Sequence, residues 1–291
     1  MNPRYPIYIP SKGRWESRQT VKALDKLGVP YSVVVESQEL GQYAEVIDPA
    51  RLLVLPFSNM GLIAARNWIL RHAISTGAKR HWQLDDNLKA FFRFNRNLKT
   101  PVSDGTIFCC MEDFVDRYTN VVIAGPNYFM FAARKSKVAP YTPNTRVYSC
   151  SLVRNDIPFR WRSKYNDDTD ICLCVLKAGL CTVLFNAFLA EKTVTMKLKG
   201  GNTPIYQGDG RLEMAKALVR LHPDVARITW KWGRYQHHVD YRPFKKNRLI
   251  RKPGVAIPEG VDNYGMALQQ KIDGQWVTTD GPDVPRETAV T

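Results

Sequence analysis

The chain has 291 residues, of which 44% are hydrophobic and 11% aromatic, enough for one large α/β domain with additions. Its longest apolar runs, such as 121–124 and 181–184, are far too short to cross a bilayer. The formal net charge is +15; from Pro253 onward two basic side chains face six acidic ones, a net of −4, so the first 252 residues carry +19. A body this basic attracts a polyanion such as DNA or RNA if the charge gathers on one face, and is a merely basic surface if it does not.

The start, Met1-Asn2-Pro3-Arg4-Tyr5-Pro6, has no apolar stretch of signal-peptide length behind a basic segment, which gives the expectation of a cytosolic protein. The six cysteines, at 109, 110, 150, 172, 174 and 181, lack C-x-x-C spacing and sit in apolar patterns, so buried thiols are expected in place of disulfides or a zinc site.

Residues 5–10 form a short apolar strand that ends in Ser11-Lys12-Gly13-Arg14, and residues 15–27 then show helical spacing through Val21, Leu24 and Leu27. A second strand at 32–35, a short helix at 39–47 and a third strand at 52–55 follow. After Ser58-Asn59-Met60-Gly61, residues 62–75 are helical, and a strand at 81–84 runs directly into Asp85-Asp86-Asn87. Alternation of this kind argues for an α/β fold with a mixed, mainly parallel sheet flanked by helices.

The middle is more mixed, with a helix at 111–118 and strands at 121–123, 128–132 and 146–153, one of them expected to be antiparallel. A helix at 168–178, a buried strand at 181–189, a glycine loop at Gly200-Gly201-Asn202 and a helix at 209–221 complete the body. The expected domains are 1–252 and a Pro- and Gly-rich acidic tail, 253–291, in which 264–277 has the pattern of a hairpin around Asp273-Gly274.

Ligands of such sheets bind beyond the carboxyl ends of the strands. Three segments there carry chemistry. Pro10-Ser11-Lys12-Gly13-Arg14 offers two cations and a flexible glycine at the opening of a helix, a setting for phosphate, although basic turns also precede helices without binding anything. Arg66 and Asn67 stand in the opening turns of the next long helix, where Arg66 can meet phosphate and Asn67 a base or ribose, or Arg66 can make a plain surface ion pair. Asp85, Asp86 and Asn87 gather hard oxygen donors at one strand end, suited to Mg²⁺ or Mn²⁺ with diphosphate completing the shell, or to a simple turn.

In this order the three segments resemble the GT-A glycosyltransferases. The wording Ile9-Pro10-Ser11-Lys12-Gly13-Arg14, the triplet Asp85-Asp86-Asn87 and the later Tyr165-Asn166-Asp167-Asp168-Thr169-Asp170 are more specifically similar to the phage TET-associated glycosyltransferases, over residues 5–250. The resemblance implies a GT-A fold, a divalent metal, and a nucleotide-sugar donor, UDP-linked, bound by Pro10 to Arg14, Arg66, Asn67, Asp85 and Asp86. It further implies 5-hydroxymethylcytosine in phage DNA as acceptor, a functional link to a TET-like oxygenase, and action in the cytoplasm of the infected host. Asn87 departs from the family's acidic triplet, which leaves the metal ligands open among Asp85, Asp86 and Asn87, with His238 as a further candidate. Asp167 and Asp168 stand where the family's catalytic carboxylate is expected, and both also suit a helix start.

Two basic and aromatic clusters flank the acceptor side: Arg93, Arg96 and Lys99 among Phe91, Phe92 and Phe94, and Arg160, Trp161, Arg162 and Lys164 before Asp167. With Arg242, Lys245 and Lys246 they are candidates for contact with DNA, although the aromatic members can equally be core. The rival readings are a glycosyltransferase acting on a protein or glycan hydroxyl, a non-catalytic nucleic-acid-binding protein on a transferase fold, and a nucleotidyltransferase.

Overall fold

The computed structural model describes residues 1–95, 97–133, 139–193, 210–255, 269–272 and 275–278. Two compact units divide the chain, Met1–Ile250 and Arg251–Thr291.

The first unit begins with strictly alternating elements: β1 (Ile7–Pro10), α1 (Gln19–Lys26), β2 (Ser32–Val35), α2 (Leu40–Ala44), β3 (Leu52–Val54), α3 (Gly61–Ser75) and β4 (Arg80–Leu84). Each neighbouring pair among the four strands is parallel, in the order β3-β2-β1-β4. All residues of β1 and β4 are buried, as expected of strands with helices over both faces.

The chain continues through β5 (Leu88–Asn95), β6 (Leu98–Pro101), α4 (Thr106–Asp116), β7 (Val121–Tyr128), β8 (Tyr141–Pro143), β9 (Cys150–Arg154), α5 (Asp167–Lys177) and β10 (Cys181–Lys192). These extend the sheet to β3-β2-β1-β4-β9-β7-β10-β5-β6, with β8 also paired to β10. β9 runs antiparallel to both β4 and β7, the expected reversal. The first unit ends with α6 (Gly210–Leu221) and a separate hairpin of β11 (Ala226–Lys231) and β12 (Arg234–Val239).

Several boundaries differ from the sequence pattern, for local reasons. Arg18 has φ 26°, which keeps the preceding turn out of the helix, so α1 starts at Gln19 and not at 15. Ser149 has φ 62°, which breaks the strand expected at 146–153 and starts β9 at Cys150. The strand expected at 128–132 is the end of β7 followed by a turn. In the second unit β13 (Gln269–Ile272) and β14 (Gln275–Thr278) pair antiparallel, and the turn residues Asp273 and Gly274 lie outside the described residues.

Strand alternation decides what each residue of β4 meets. Trp82 points to one face, where its ring meets Phe108 edge-on at 5.1 Å and its Nε1 donates to Glu112 of α4 at 2.9 Å. His81 and Gln83 point to the other, where Gln83 accepts from Arg66 of α3 at 3.3 Å. The core on that face joins Leu70 of α3, Val122, Ile123 and Val153 of the sheet, and Ile171 and Val175 of α5.

Gly125 of β7 shows how tightly the sheet is packed. A Cβ there would overlap the Cys150 carbonyl oxygen and stand 2.8 Å from Val147 Cγ1. Gly125→Ala is therefore expected to lower stability by about 1–3 kcal/mol, read as a reduced urea midpoint with unchanged slope.

Candidate active site

Alternation continues past the end of β4 and parts the two aspartates. Asp85 turns to the α3 side. Its Oδ1 lies 3.1 Å from Arg66 Nη2, and its Oδ2 accepts from Lys192, the last residue of β10, at 2.7 Å. Asp86 turns toward the end of β1, where it accepts from Ser11 Oγ at 2.9 Å and pairs with Arg14. Ser11 in turn is 2.7 Å from the Tyr43 hydroxyl, which also accepts from the Arg14 amide at 3.2 Å. The adjacency of the β1 and β4 ends follows from their parallel pairing.

Arg66 is the centre of the cluster. It is 3% exposed, and besides Asp85 its Nε lies 2.7 Å from Asp167 Oδ2 and its Nη2 lies 3.5 Å from Asp168 Oδ1. The Asp167 contact is an ion pair whose angle falls short of a hydrogen bond. Both aspartates occupy the first turn of α5, where the partial positive charge of a helix N-terminus favours carboxylates. Behind Arg66 the buried Gln83 amide donates to the Arg66 carbonyl at 3.2 Å and lies 2.8 Å from His81 Nε2. His81 Nδ1 then donates to Asn155 Oδ1 at 2.5 Å, and burial pushes the imidazole down to about 4, so it stays neutral.

Electrostatics separates the carboxylates. Burial pushes Asp85 up, but Lys192 and Arg66 outweigh it and hold the group well below the usual carboxylate range. Asp167 is raised, because burial outweighs Arg66. Burial, with repulsion from Asp167 behind it, pushes Asp168 up to about 7. Its side chain retains 22% exposure, against 17% for Asp167. Asp168 is thus a solvent-reached carboxyl poised near neutrality.

The other loop residues are held by local partners. Lys12 Nζ lies 2.6 Å from Glu36 and 2.8 Å from Asn59, and the Gly13 amide donates to Glu39 at 2.9 Å. Asn67 does not face the strand ends with an open amide: it donates to the Trp161 carbonyl at 2.7 Å and accepts from the Trp161 amide at 3.0 Å, fastening α3 to the chain before α5. Trp161, expected on the DNA side, is 4% exposed and belongs to the core, and Phe91 and Phe94 are likewise buried.

Of the cations named for DNA, Arg93 is half-buried on β5, and Arg96 lies outside the described residues, as does Gly200-Gly201-Asn202. Arg160 is exposed and donates to the carbonyls of Ile157 and Phe159, Arg162 pairs with Asp170 at 3.0 Å, and Lys164 sits 5.7 Å over the Tyr165 ring. Arg242 pairs with Asp240 at 2.7 Å, and it, Lys245 and Lys246 are exposed.

His238 stands on β12 opposite Arg227, exposed. Among the described residues one group of metal-type donors, Asp170, Cys174 and His222, lies within 4.8 Å. Arg162 and the His222 ring, 2.8 Å away, already supply positive and donor character to Asp170, so this cluster reads as an internal brace between α5 and the end of α6.

Lys192, Ser149, Tyr128 and Gln83 were not found from sequence. Lys192 also donates to Ser149 Oγ at 2.8 Å, and Ser149 bonds the Tyr128 hydroxyl. The only local signal was a lysine closing a long apolar strand.

A family profile described as TET-Associated Glycosyltransferase matches residues 5–201. No curated protein matches the chain. Among solved structures, a protein of Desulfovibrio desulfuricans G20 whose name proposes nucleotide-diphospho-sugar transfer is similar at 10% identity and a TM-score of 0.40, covering 75% of this chain and 97% of that one. No described helix is long and apolar enough to cross a membrane.

Proposed function

The chain belongs to the TET-associated glycosyltransferase family and is a glycosyltransferase; we propose that it moves a sugar from a UDP-linked donor to the hydroxyl of 5-hydroxymethylcytosine in DNA, in the cytoplasm of a phage-infected cell. The observation that carries this reading is the Arg66 cluster: a buried cation joining the acidic end of β4 to the two carboxylates of α5, one of them near neutrality.

In this reading Asp168 takes the proton of the acceptor hydroxyl as its oxygen bonds the anomeric carbon and the bond to the diphosphate breaks. A carboxylate with a pKa near the working pH is the efficient choice for that transfer. Arg66, 3.5 Å away, holds it in place. At the end of β1, Lys12 is 43% exposed and can exchange Glu36 for a phosphate oxygen, while Ser11 and Arg14 fix Asp86.

The ends of β4 and α5 fit a divalent cation in their chemistry. The donors are hard oxygens, the carboxylates Asp85, Asp167 and Asp168 share the cations Arg66 and Lys192, and the buried Asn87 Oδ1 has no hydrogen-bond partner. Asp85 and Asn87 would hold Mn²⁺ or Mg²⁺, which when bound supplies Lewis-acid stabilisation of the diphosphate, while Asp86, turned to Ser11 and Arg14, braces the loop after β1. His238, exposed on the hairpin, is not needed for this set.

Incubation with Mn²⁺, UDP-sugars and hydroxymethylated DNA is expected to add the mass of one hexose or N-acetylhexosamine to the modified nucleoside. Chelation should slow transfer strongly, with Mn²⁺ restoring it. Failure of every common UDP-sugar to label the DNA would overturn the acceptor or donor assignment, and a rate indifferent to chelation would remove the metal.

A further inference from the structure

The hairpin of β11 and β12 lies beyond residue 201, where the family match ends, and plays no part in the site above. Its base is anchored: Ala226 and Val239 pack with Leu173 and Leu176 of α5, Leu218 of α6 and Phe244. Its outer part is the opposite of a core element. Trp230 is 64% exposed, Trp232 72% and Tyr235 47%. Trp230 and Tyr235 are paired across the strands with their rings edge-on at 4.8 Å, so they project from one face.

The tip is a two-residue turn, Trp232-Gly233, with φ of 54° and 70°. Both central residues are left-handed, as in a type I′ hairpin turn, where asparagine or glycine is the residue that fits. A bulky tryptophan there is sterically disfavoured, and at this exposure it gains little packing in return. Its ring instead carries Lys231, whose Nζ is 4.5 Å from the centroid. The same hairpin supplies Arg227, Lys231 and Arg234, and residues 226–239 contain no Asp or Glu. Just beyond β12, the exposed Arg242, which pairs with Asp240, and the exposed Lys245 and Arg248 line a groove of about 650 Å³.

Flat rings on an exposed hairpin, interleaved with cations and free of acids, suit binding to a nucleic-acid strand: rings stack on unpaired bases and cations meet phosphates. We propose that this hairpin is a DNA-docking arm that stacks Trp230 and Trp232 on exposed bases of the acceptor strand. The proposal rests on DNA being the acceptor. A lipid surface would also take aromatic rings, but the charge of +19 on the first 252 residues and the cationic groove at the hairpin base favour a polyanion over a headgroup layer.

The test measures binding and chemistry separately. Fluorescence anisotropy follows a labelled single-stranded oligonucleotide carrying 5-hydroxymethylcytosine, and a second assay follows sugar transfer to 5-hydroxymethyl-2′-deoxycytidine monophosphate, which has no neighbouring base for the arm to stack on. The Trp230→Ala/Trp232→Ala variant should bind the oligonucleotide about tenfold or more weakly, with transfer to the mononucleotide and the near-ultraviolet circular dichroism unchanged. Arg227→Ala/Lys231→Ala/Arg234→Ala should weaken binding and lower the slope of log affinity against log salt by about 0.7 for each phosphate that is no longer neutralised. A tryptophan variant that binds like the wild type overturns the docking arm while leaving DNA as the acceptor. A wild-type protein that binds no oligonucleotide yet glycosylates another hydroxyl overturns the acceptor reading and the arm with it. Tryptophan-dependent binding to phosphatidylserine vesicles, with oligonucleotide binding unaffected, assigns the arm to a membrane and also overturns the proposal.

Discussion

Arg66→Met is expected to cost the folded state about 3–5 kcal/mol, because it leaves three largely buried carboxylates without their shared counter-ion. Urea unfolding at pH 8 measures this directly. Lysine should not restore the loss, since a single ammonium cannot fork to Asp85, Asp167 and Asp168 at once. The sign of the pH dependence is a second check. Without Arg66 the carboxylates hold their protons more tightly folded than unfolded, so the variant's stability should fall as pH rises from the ordinary carboxylate range through neutrality. A variant as stable as the wild type at pH 8 would show that Arg66 is not the counter-ion of the cluster.

Asp168→Asn should lower sugar transfer by about 10²–10⁴-fold with donor binding retained, the loss expected when a general base is removed. The wild-type rate should rise with pH and level off near 7, where Asp168 titrates, and the variant should lack that limb. Stability gives the opposite sign. The folded protein holds the Asp168 proton up to about 7 against an ordinary value of 3.8, so this group's contribution falls as pH rises across that window. Asp168→Asn removes the penalty and should be at least as stable as the wild type at pH 8. Slow transfer joined to preserved or raised thermal stability separates a catalytic role from a structural one. Full activity in the variant would move the base elsewhere.

Much of the candidate site was legible because it sits where a local pattern ends. Pro10 to Arg14 and Asp85 to Asn87 follow apolar strands, Asp167 and Asp168 open a helix, and these positions could be found by reading periodicity and the residues that break it. Side-chain destinations were less legible. Trp161 looked like a DNA contact from its basic neighbours, yet the hydrogen bonds between Asn67 and its main chain draw that segment against α3 and its ring into the core. The exposed arm was missed because Trp232-Gly233 lacks the usual asparagine-glycine signal for a tight hairpin.

By itself the sequence determined the alternating α/β order, the charge of the body and the family, since these rest on local periodicity, composition and short motifs. Only the tertiary structure decided which charges meet. Lys192 reaches Asp85 across 107 residues of chain, and Arg66 collects carboxylates from β4 and α5, because sheet order and strand alternation, not sequence neighbourhood, set the distances between them. The near-neutral Asp168 belongs to the same class of fact: burial and the neighbouring Asp167 create it, and burial exists only once the helix has docked.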